Sequence, residues 1–402
     1  MKKKYSNKLF LFFILFLIHL CIMASYEKPG NIIVFAENAQ EENVSEEKLN
    51  QTIKEQLSKL DLKDLQDYVD SLGNFTNESV AERLFHYITQ ESVDYEGFLE
   101  EMGVVLFAKV VEIIPLFACI SAITLLSGLV SMMKSGANVK TSSETIFLIT
   151  YVAALIPLLA VLTECFQECI GSISAMQTQM QIVFPLMLTL MAASGGSLSA
   201  AVCRPAVGFF AMNIVNVIRS VVFPITITVI IFSMAGCVTK ELKISRFTAF
   251  FKSMNKWIIG ICVSVFGIFF TLQGITAASY DGIARRAAKY AIGNGIPIVG
   301  GFLSGGFDLA VAGSMLIKNS LGNMSIFLML AVLFEPLALL ISINLLLRLT
   351  AAITQPFGDG RISDFLGETA ENLNYCTAAL LIIAFLYFLA ILLMVCASEA
   401  LF

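Results

Sequence analysis

Apolar residues along this chain fall into two regimes. Between Ser45 and Leu72 they recur every three or four positions, at Leu49, Ile53, Leu57 and Leu60 and then at Leu62, Leu65, Val69 and Leu72, with acids and lysines between them. This is the period of amphipathic helices that each have one stripe to bury. Val80, Leu84 and Ile88, ahead of Phe98, predict another short helix. From residue 104 onward long apolar runs take over, near 110–133, 145–163, 217–238, 257–276, 325–347 and 377–397. About 20 apolar residues in a helix cross the hydrocarbon of a bilayer, so six spanning helices are predicted. Two more apolar stretches are interrupted, 182–216 by Pro185, Gly195 and Gly196, and 296–317 by Pro297, Gly305 and Gly306. Broken or re-entrant hairpins are expected there, because a bilayer tolerates irregular backbone only where protein covers it or a cavity receives it. The predicted fold class is all-α, a polytopic membrane helical bundle carrying a small helical N-terminal domain.

Composition supports that division. Of 402 residues 57% are apolar and 14% charged, against about 25% charged in soluble chains, too few to cover a water-facing surface. The net charge of −5 hides two unlike parts, since residues 37–101 hold 17 acids against 5 bases while residues 102–402 hold 13 acids against 16 bases. The domain at 37–103 is thus an acidic head, ill suited to nucleic acid or anionic lipid, and 104–402 is the membrane body. At its size the head builds only a thin core and needs the body or a partner to lean on. Ahead of it, Lys2, Lys3, Lys4 and Lys8 precede an apolar run from Leu9 to Met23, with small residues at Ala24 and Ala36. Residues 1–36 read as a signal peptide, cleaved after one of those alanines or kept as an uncleaved signal anchor, and either exports the head.

Loop charge gives the same orientation. Lys134 and Lys140 lie between the first two runs, and Lys240, Lys243, Arg246, Lys252 and Lys256 between the third and fourth, whereas 164–181 has two acids and no base. The positive-inside rule makes the basic loops cytoplasmic and the acidic segment external. The 182–216 stretch then crosses an even number of times, with Arg204 at an inner turn. Arg285, Arg286 and Lys289 fall outside on this scheme, against the rule. A weak internal offset of about 112 residues maps 145–163 onto 257–276 and Pro185 onto Pro297, as a parallel repeat of membrane helices and broken hairpins would.

Little in the chain carries chemistry. No Gly-x-x-x-x-Gly-Lys-Ser/Thr occurs, and the glycines from Gly293 to Gly306 follow no strand, so no nucleotide cofactor is expected. Nine cysteines avoid the head and form no Cys-x-x-Cys, which supports neither a disulfide framework nor a metal site. His86 is the one histidine beyond residue 36. Charges within apolar runs are expensive and mark candidates: Lys109, Glu112, Arg219, Asp308 and Glu335, with the amides Asn213, Asn216 and Asn344. Lys109 and Glu112 suit a local ion pair, and Arg219 suits snorkelling at a helix start. Asp308, beside Gly305, and Glu335, beside Pro336, suit a polar lining or an interhelical contact. Ser172 to Gln181 reads as a surface-lying helix, and 359–371, with four acids and one arginine, as a solvated loop.

Two blocks are distinctive: VFPLMLTLMAASGGSLSAAVCRP at 183–205 and YDGIARRAAKYAIGNGIPIVGGFLSGGFDLAVAGSMLIKNSLG at 280–322. With the signal peptide and the acidic head, they make the chain resemble the stage III sporulation protein AE family of endospore-forming bacteria. The resemblance implies a mother-cell membrane component, encoded with sister AA to AH proteins, of a secretion-like channel complex that meets stage II sporulation protein Q of the forespore and serves forespore development. It implies an ATPase on a separate chain, no catalytic residue here, and a head facing the intermembrane space. A homo-oligomer is one open arrangement. A stand-alone secondary transporter using Asp308 and Glu335 as coupling groups, and a passive scaffold, are the alternatives.

Overall fold

In the computed structural model of the chain, residues 39–72, 79–89, 95–134, 140–206, 208, 212–238, 244–268, 300–356 and 360–396 are described below. Residues 1–36, Pro297 and the 285–289 cluster lie outside them. The described chain is helical, with no strand. It divides into one unit ending at Gln51 and a second from Thr52 onward, and all packing discussed here lies in the second.

The head comprises α1 (Ala39–Lys59), α2 (Lys63–Ser71) and α3 (Val80–Thr89). Its apolar stripes turn inward as their spacing requires, with Ile53, Leu65 and Leu84 wholly buried. Ser79 and Glu82 close a capping box at the start of α3: Ser79 N–H and Oγ donate to Glu82 Oε2 at 3.1 and 2.9 Å, and Glu82 N–H donates back to Ser79 Oγ at 3.3 Å. These bonds hold the Glu82 carboxyl below its ordinary pKa of 4.5. The head leans on the body, since Gln56 Nε2 donates to Ala310 O at 2.8 Å and Tyr68 OH to Ala175 O at 3.3 Å. Burial raises the Tyr68 phenol.

The body comprises α4 (Tyr95–Lys134), α5 (Lys140–Ala193), α6 (Ser197–Ala206), α7 (Met212–Val217), a π-helical turn (Ile218–Val222), α8 (Phe223–Val238), α9 (Ser245–Ile268), α10 (Gly300–Thr354) and α11 (Gly360–Cys396). Six helical spans, one within each of α4, α5, α7 to α8, α9, α10 and α11, are long and apolar enough to cross a membrane. The expected polytopic bundle is therefore present, but its helices overrun the expected spans. α5 has 54 residues and α10 has 55, each about 80 Å long at 1.5 Å per residue.

Three helices form the spine. Ser172 Oγ and Gln179 Nε2 on α5 donate to Val332 O and Ser325 O on α10 at 2.9 and 2.8 Å, which sets α5 and α10 antiparallel. Ser363 Oγ to Ala351 O at 2.8 Å and Lys318 Nζ to Val395 O at 2.6 Å set α11 antiparallel to α10. α5 and α11 thus run together, with Tyr151 and Phe365 rings 5.4 Å apart near one end and Phe184 and Tyr387 5.6 Å apart near the other. α4 flanks α10, α8 packs on α11, and α9 packs on α8 through Phe232 and Phe251. The C-terminal ends of α4, α8 and α10 gather at one end, called the basic end for Lys134, Lys140 and Arg246; α2 and α3 lie toward the other.

The two stretches expected to break differ from each other. Residues 182–193 continue α5 straight through Pro185, and the chain turns only at Gly195, whose φ of 93° is left-handed. Gly196 N–H reaches Met191 O at 2.9 Å and Gly195 N–H reaches Ala192 O at 3.2 Å, the paired bonds of a Schellman cap. α6 then folds back on α5. Within 296–317, by contrast, the backbone from Gly300 is helical through Gly305 and Gly306. Helical hydrogen bonding satisfies the backbone there, so glycine costs propensity without forcing a turn. The 172–181 segment is likewise interior to α5, and 359–371 is largely the first turns of α11.

Where α10 crosses α11, a Cβ on Gly322 meets Val395 Cγ2 at 2.6 Å. Valine is stiff at χ1 and cannot swing aside cheaply. Gly322→Val is expected to cost about 1–3 kcal/mol by overpacking, read as a lower melting temperature of the detergent-solubilised chain. Gly195→Ala, strained by its left-handed φ, is expected to cost about 1 kcal/mol.

Candidate functional site

The outward face of α5 changes chemistry along its length. From Leu148 to Ala160 its exposed residues are Leu148, Ile149, Val152, Ile156, Leu159 and Ala160. From Thr163 to Ala193 they are polar or small, including Glu164, Gln167, Glu168, Thr178 and Thr189. The apolar face between Glu144 and Glu164 is about 30 Å long, the thickness of bilayer hydrocarbon. α10 repeats the change, exposing Asn323 and Glu335 above and Leu345, Leu349 and Ile353 below. The belt of exposed apolar surface on α5 and α10, the part fit to face lipid, therefore surrounds the half of the spine nearer the basic end.

The candidate site is a polar seam inside that belt. Arg361 stacks 3.5 Å over the Phe147 ring, and Phe365 meets Tyr151, so α11 climbs beside α5 from the lower edge of the belt. At this depth α11 exposes Asp364, Glu368 and Glu371. Spaced four and three apart, they form one stripe on one helix face. Next to them Arg348 Nε donates to Asn344 Oδ1 at 2.7 Å, and Asn344 Nδ2 donates to Ala370 O at 2.6 Å and to Asn374 Oδ1 at 3.2 Å. Asn372, wholly buried, donates to Ser233 Oγ on α8 at 3.2 Å. Seven residues before Ser233, and so on the same face of α8, Thr226 Oγ1 accepts from Nδ2 of buried Asn255 of α9 at 2.8 Å, and α9 turns Lys256 outward. A charge facing lipid at such depth costs several kcal/mol, so water or another protein must meet these groups.

The residues singled out from sequence are scattered. Glu335 is 57% exposed at the upper edge of the belt and pairs with Lys109 at 3.2 Å, which also meets Glu112 at 3.4 Å. Asp308 lies near the start of α10, 27 residues from Glu335 and about 40 Å away along the helix. Arg204 is exposed on α6 and Arg219 is exposed in the π-helical turn; Asn216 accepts from Gln177 Nε2 at 3.2 Å. Pro185 is exposed, Gly195 and Gly196 make the helix cap, and Gly305 and Gly306 are helical. Only Asn344 among the named residues belongs to the seam. In sequence the acids of α11 carry the charge of a solvated loop, although their spacing is helical. Lys318, which no sequence signal marks, is wholly buried and donates to Val395 O near the end of α11, a favourable place for a cation at a helix C-terminus. Among the described residues no three His, Cys, Asp or Glu converge as metal ligands, and eight cysteines are free thiols.

In a cysteine-free background, cysteines at Gln167, Thr178 and Thr189 are expected to react with a water-soluble maleimide, and cysteines at Val152 and Ile156 are not; equal reactivity across the set contradicts the placement of the belt.

Comparison with known proteins completes the description. The family described as Stage III sporulation protein AE matches residues 80–398. The stage III sporulation protein AE of Bacillus subtilis (strain 168) is 25% identical over 334 residues, 83% of this chain and 84% of that protein. No solved structure matches.

Proposed function

The chain belongs to the stage III sporulation protein AE family, a multi-pass membrane protein with a role in sporulation alongside other stage III proteins, and from that premise we propose that it is a non-enzymatic core component of a channel-like complex between mother cell and forespore. It sits in the mother-cell membrane around the forespore with the head in the intermembrane space. Its neighbours are the membrane proteins encoded with it, stage II sporulation protein Q joins through the complex, and an ATPase on another chain supplies energy.

The observation that carries this reading is the charged seam at membrane depth. A body that shows Asp364, Glu368 and Glu371 beside Ile149 and Val152 is incomplete in lipid, so it belongs in an assembly that covers or wets the stripe. The gathering of Lys134, Lys140 and Arg246 at the end away from the head supports an exported head. The carrier alternative fares worse. Asp308 and Glu335 are too far apart to bind one coupling ion, and Glu335 is already paired with Lys109 at the rim.

In a sporulating host lacking its own copy, Asp364→Asn/Glu368→Gln/Glu371→Gln is expected to lower the yield of heat-resistant spores about tenfold or more at normal membrane levels of the protein. An unchanged yield sinks the proposal. Asp308→Asn/Glu335→Gln is expected to leave spore yield near normal, whereas a loss as large as that of the α11 variant restores the carrier.

A further inference from the structure

Four elements meet at one level of the spine. Gln179 Nε2 donates to Ser325 O at 2.8 Å, which puts Gln179 of α5 opposite Ser325 of α10. The register fixed by Lys318 with Val395 and by Ser363 with Ala351 sets Tyr387 of α11 at the same height. All three residues are wholly buried. From the head, Tyr68 of α2 comes in beside Tyr387 and spends its O–H on Ala175 O, one turn before Gln179 on α5.

Two polar atoms at this level are left over. Gln179 Oε1 and Tyr387 OH are buried, and among the described residues neither has a hydrogen-bond partner. Turning the Gln179 amide over does not help, because Ser325 O only accepts and would then face Oε1. Ser325 Oγ donates to Leu321 O at 2.6 Å, and the Tyr387 hydroxyl comes close to that oxygen without meeting the geometry of a direct bond. A polar contact that is near but not made is where a bridging water fits. The remaining demands are specific. Gln179 Oε1 needs a donor, Tyr387 O–H needs an acceptor, and Ser325 Oγ has a lone pair to fill. Polar atoms buried in this way are costly unless bonded, and native proteins bond nearly all of them.

We propose that this level of the spine is a binding site for an ordered water, which accepts from Tyr387 O–H and donates its two hydrogens to Gln179 Oε1 and Ser325 Oγ. One acceptance and two donations match the three groups, within the roughly two to four bonds that buried waters make. A cation fits less well, since it would place a charge among groups that are all neutral. The bridge makes a three-way joint of α5, α10 and α11 at the height where Tyr68 binds. The surface that receives the head is thus fixed by directional bonds as well as by packing. The inference concerns bonding inside the chain and stands or falls independently of what the complex carries.

The test is the sign of a stability change. Tyr387→Phe removes one oxygen and keeps the ring beside Phe184. With the hydroxyl bonded through water, the full-length variant in mild detergent is expected to melt about 2–4 °C lower than the parent. An unchanged or higher melting temperature means that the hydroxyl was an orphan whose loss relieves the core, and it overturns the proposal. In a Gln179→Met background, which has already lost one leg of the bridge, the same change is expected to lower the melting temperature by about half as much or less. An equal fall in both backgrounds shows that the two groups share no ligand and overturns it too. A map of the parent chain that resolves ordered waters separates a water from a direct bond. Density within hydrogen-bond distance of Gln179 Oε1, Tyr387 OH and Ser325 Oγ is expected. A Tyr387 hydroxyl bonded directly to Gln179 or Ser325, with nothing between, overturns the proposal even where both melting results hold.

Discussion

A bilayer offers about 30 Å of hydrocarbon, and two helices of this chain are about 80 Å long. Most of the architecture answers that mismatch. The parts of α5 and α10 beyond the belt cannot use lipid to cover their apolar faces, so they pack on each other, on the second half of α11, and beneath the head. Tyr387, Phe184, Met187 and Leu321 are buried in this upper region, which is a protein core and not a lipid-facing surface. The head explains itself in the same way. Its three short helices cannot hold a core of their own, and Gln56 and Tyr68 bind backbone carbonyls of helices that need a cover.

Below the rim the accounting reverses. Lipid receives the outward apolar face of α5 without cost, and the spine needs no cover there. The exceptions are the polar groups of α9, α10 and α11, for which lipid is the worst neighbour available. Arg348, Asn344 and Asn374 solve this locally by bonding one another. Among the described residues, the carboxylates of α11 and the lysines of α9 make no such bonds. Sequence that places unpaired charge at membrane depth on a helix otherwise fit for lipid therefore describes an incomplete surface.

Six spanning segments and an amphipathic head were legible because both rest on hydrophobic period and run length, which tertiary contacts reinforce. Breakers were the weaker guide. Pro185 and the pair Gly305 and Gly306 sit inside continuous helices, whereas Gly195 and Gly196 end one. The distinction is visible in retrospect in the neighbours: Ser194 and Ser197 bracket the pair that turns, and Ser197 opens the next helix, while Phe307 and Leu309 carry the apolar pattern past the pair that does not. The seam was obscured for a different reason. The most apolar residues, 377–397, and the acidic turns at 364–371 belong to one continuous helix, and the hydropathy of the later part says nothing of what meets the earlier. Hydropathy records the environment a side chain prefers without saying whether lipid or protein supplies it.

The continuity of α5 has a mechanical meaning. A rod held over its first 30 Å and free over the next 45 Å or so is a lever, and a change of about 10° in the tilt of the held part moves the far tip by about 8 Å. α10, bonded to α5 above the rim at Ser172 and Gln179, shares that movement. Small rearrangements among the crossing helices would thus be delivered, enlarged, to the surface that carries the head.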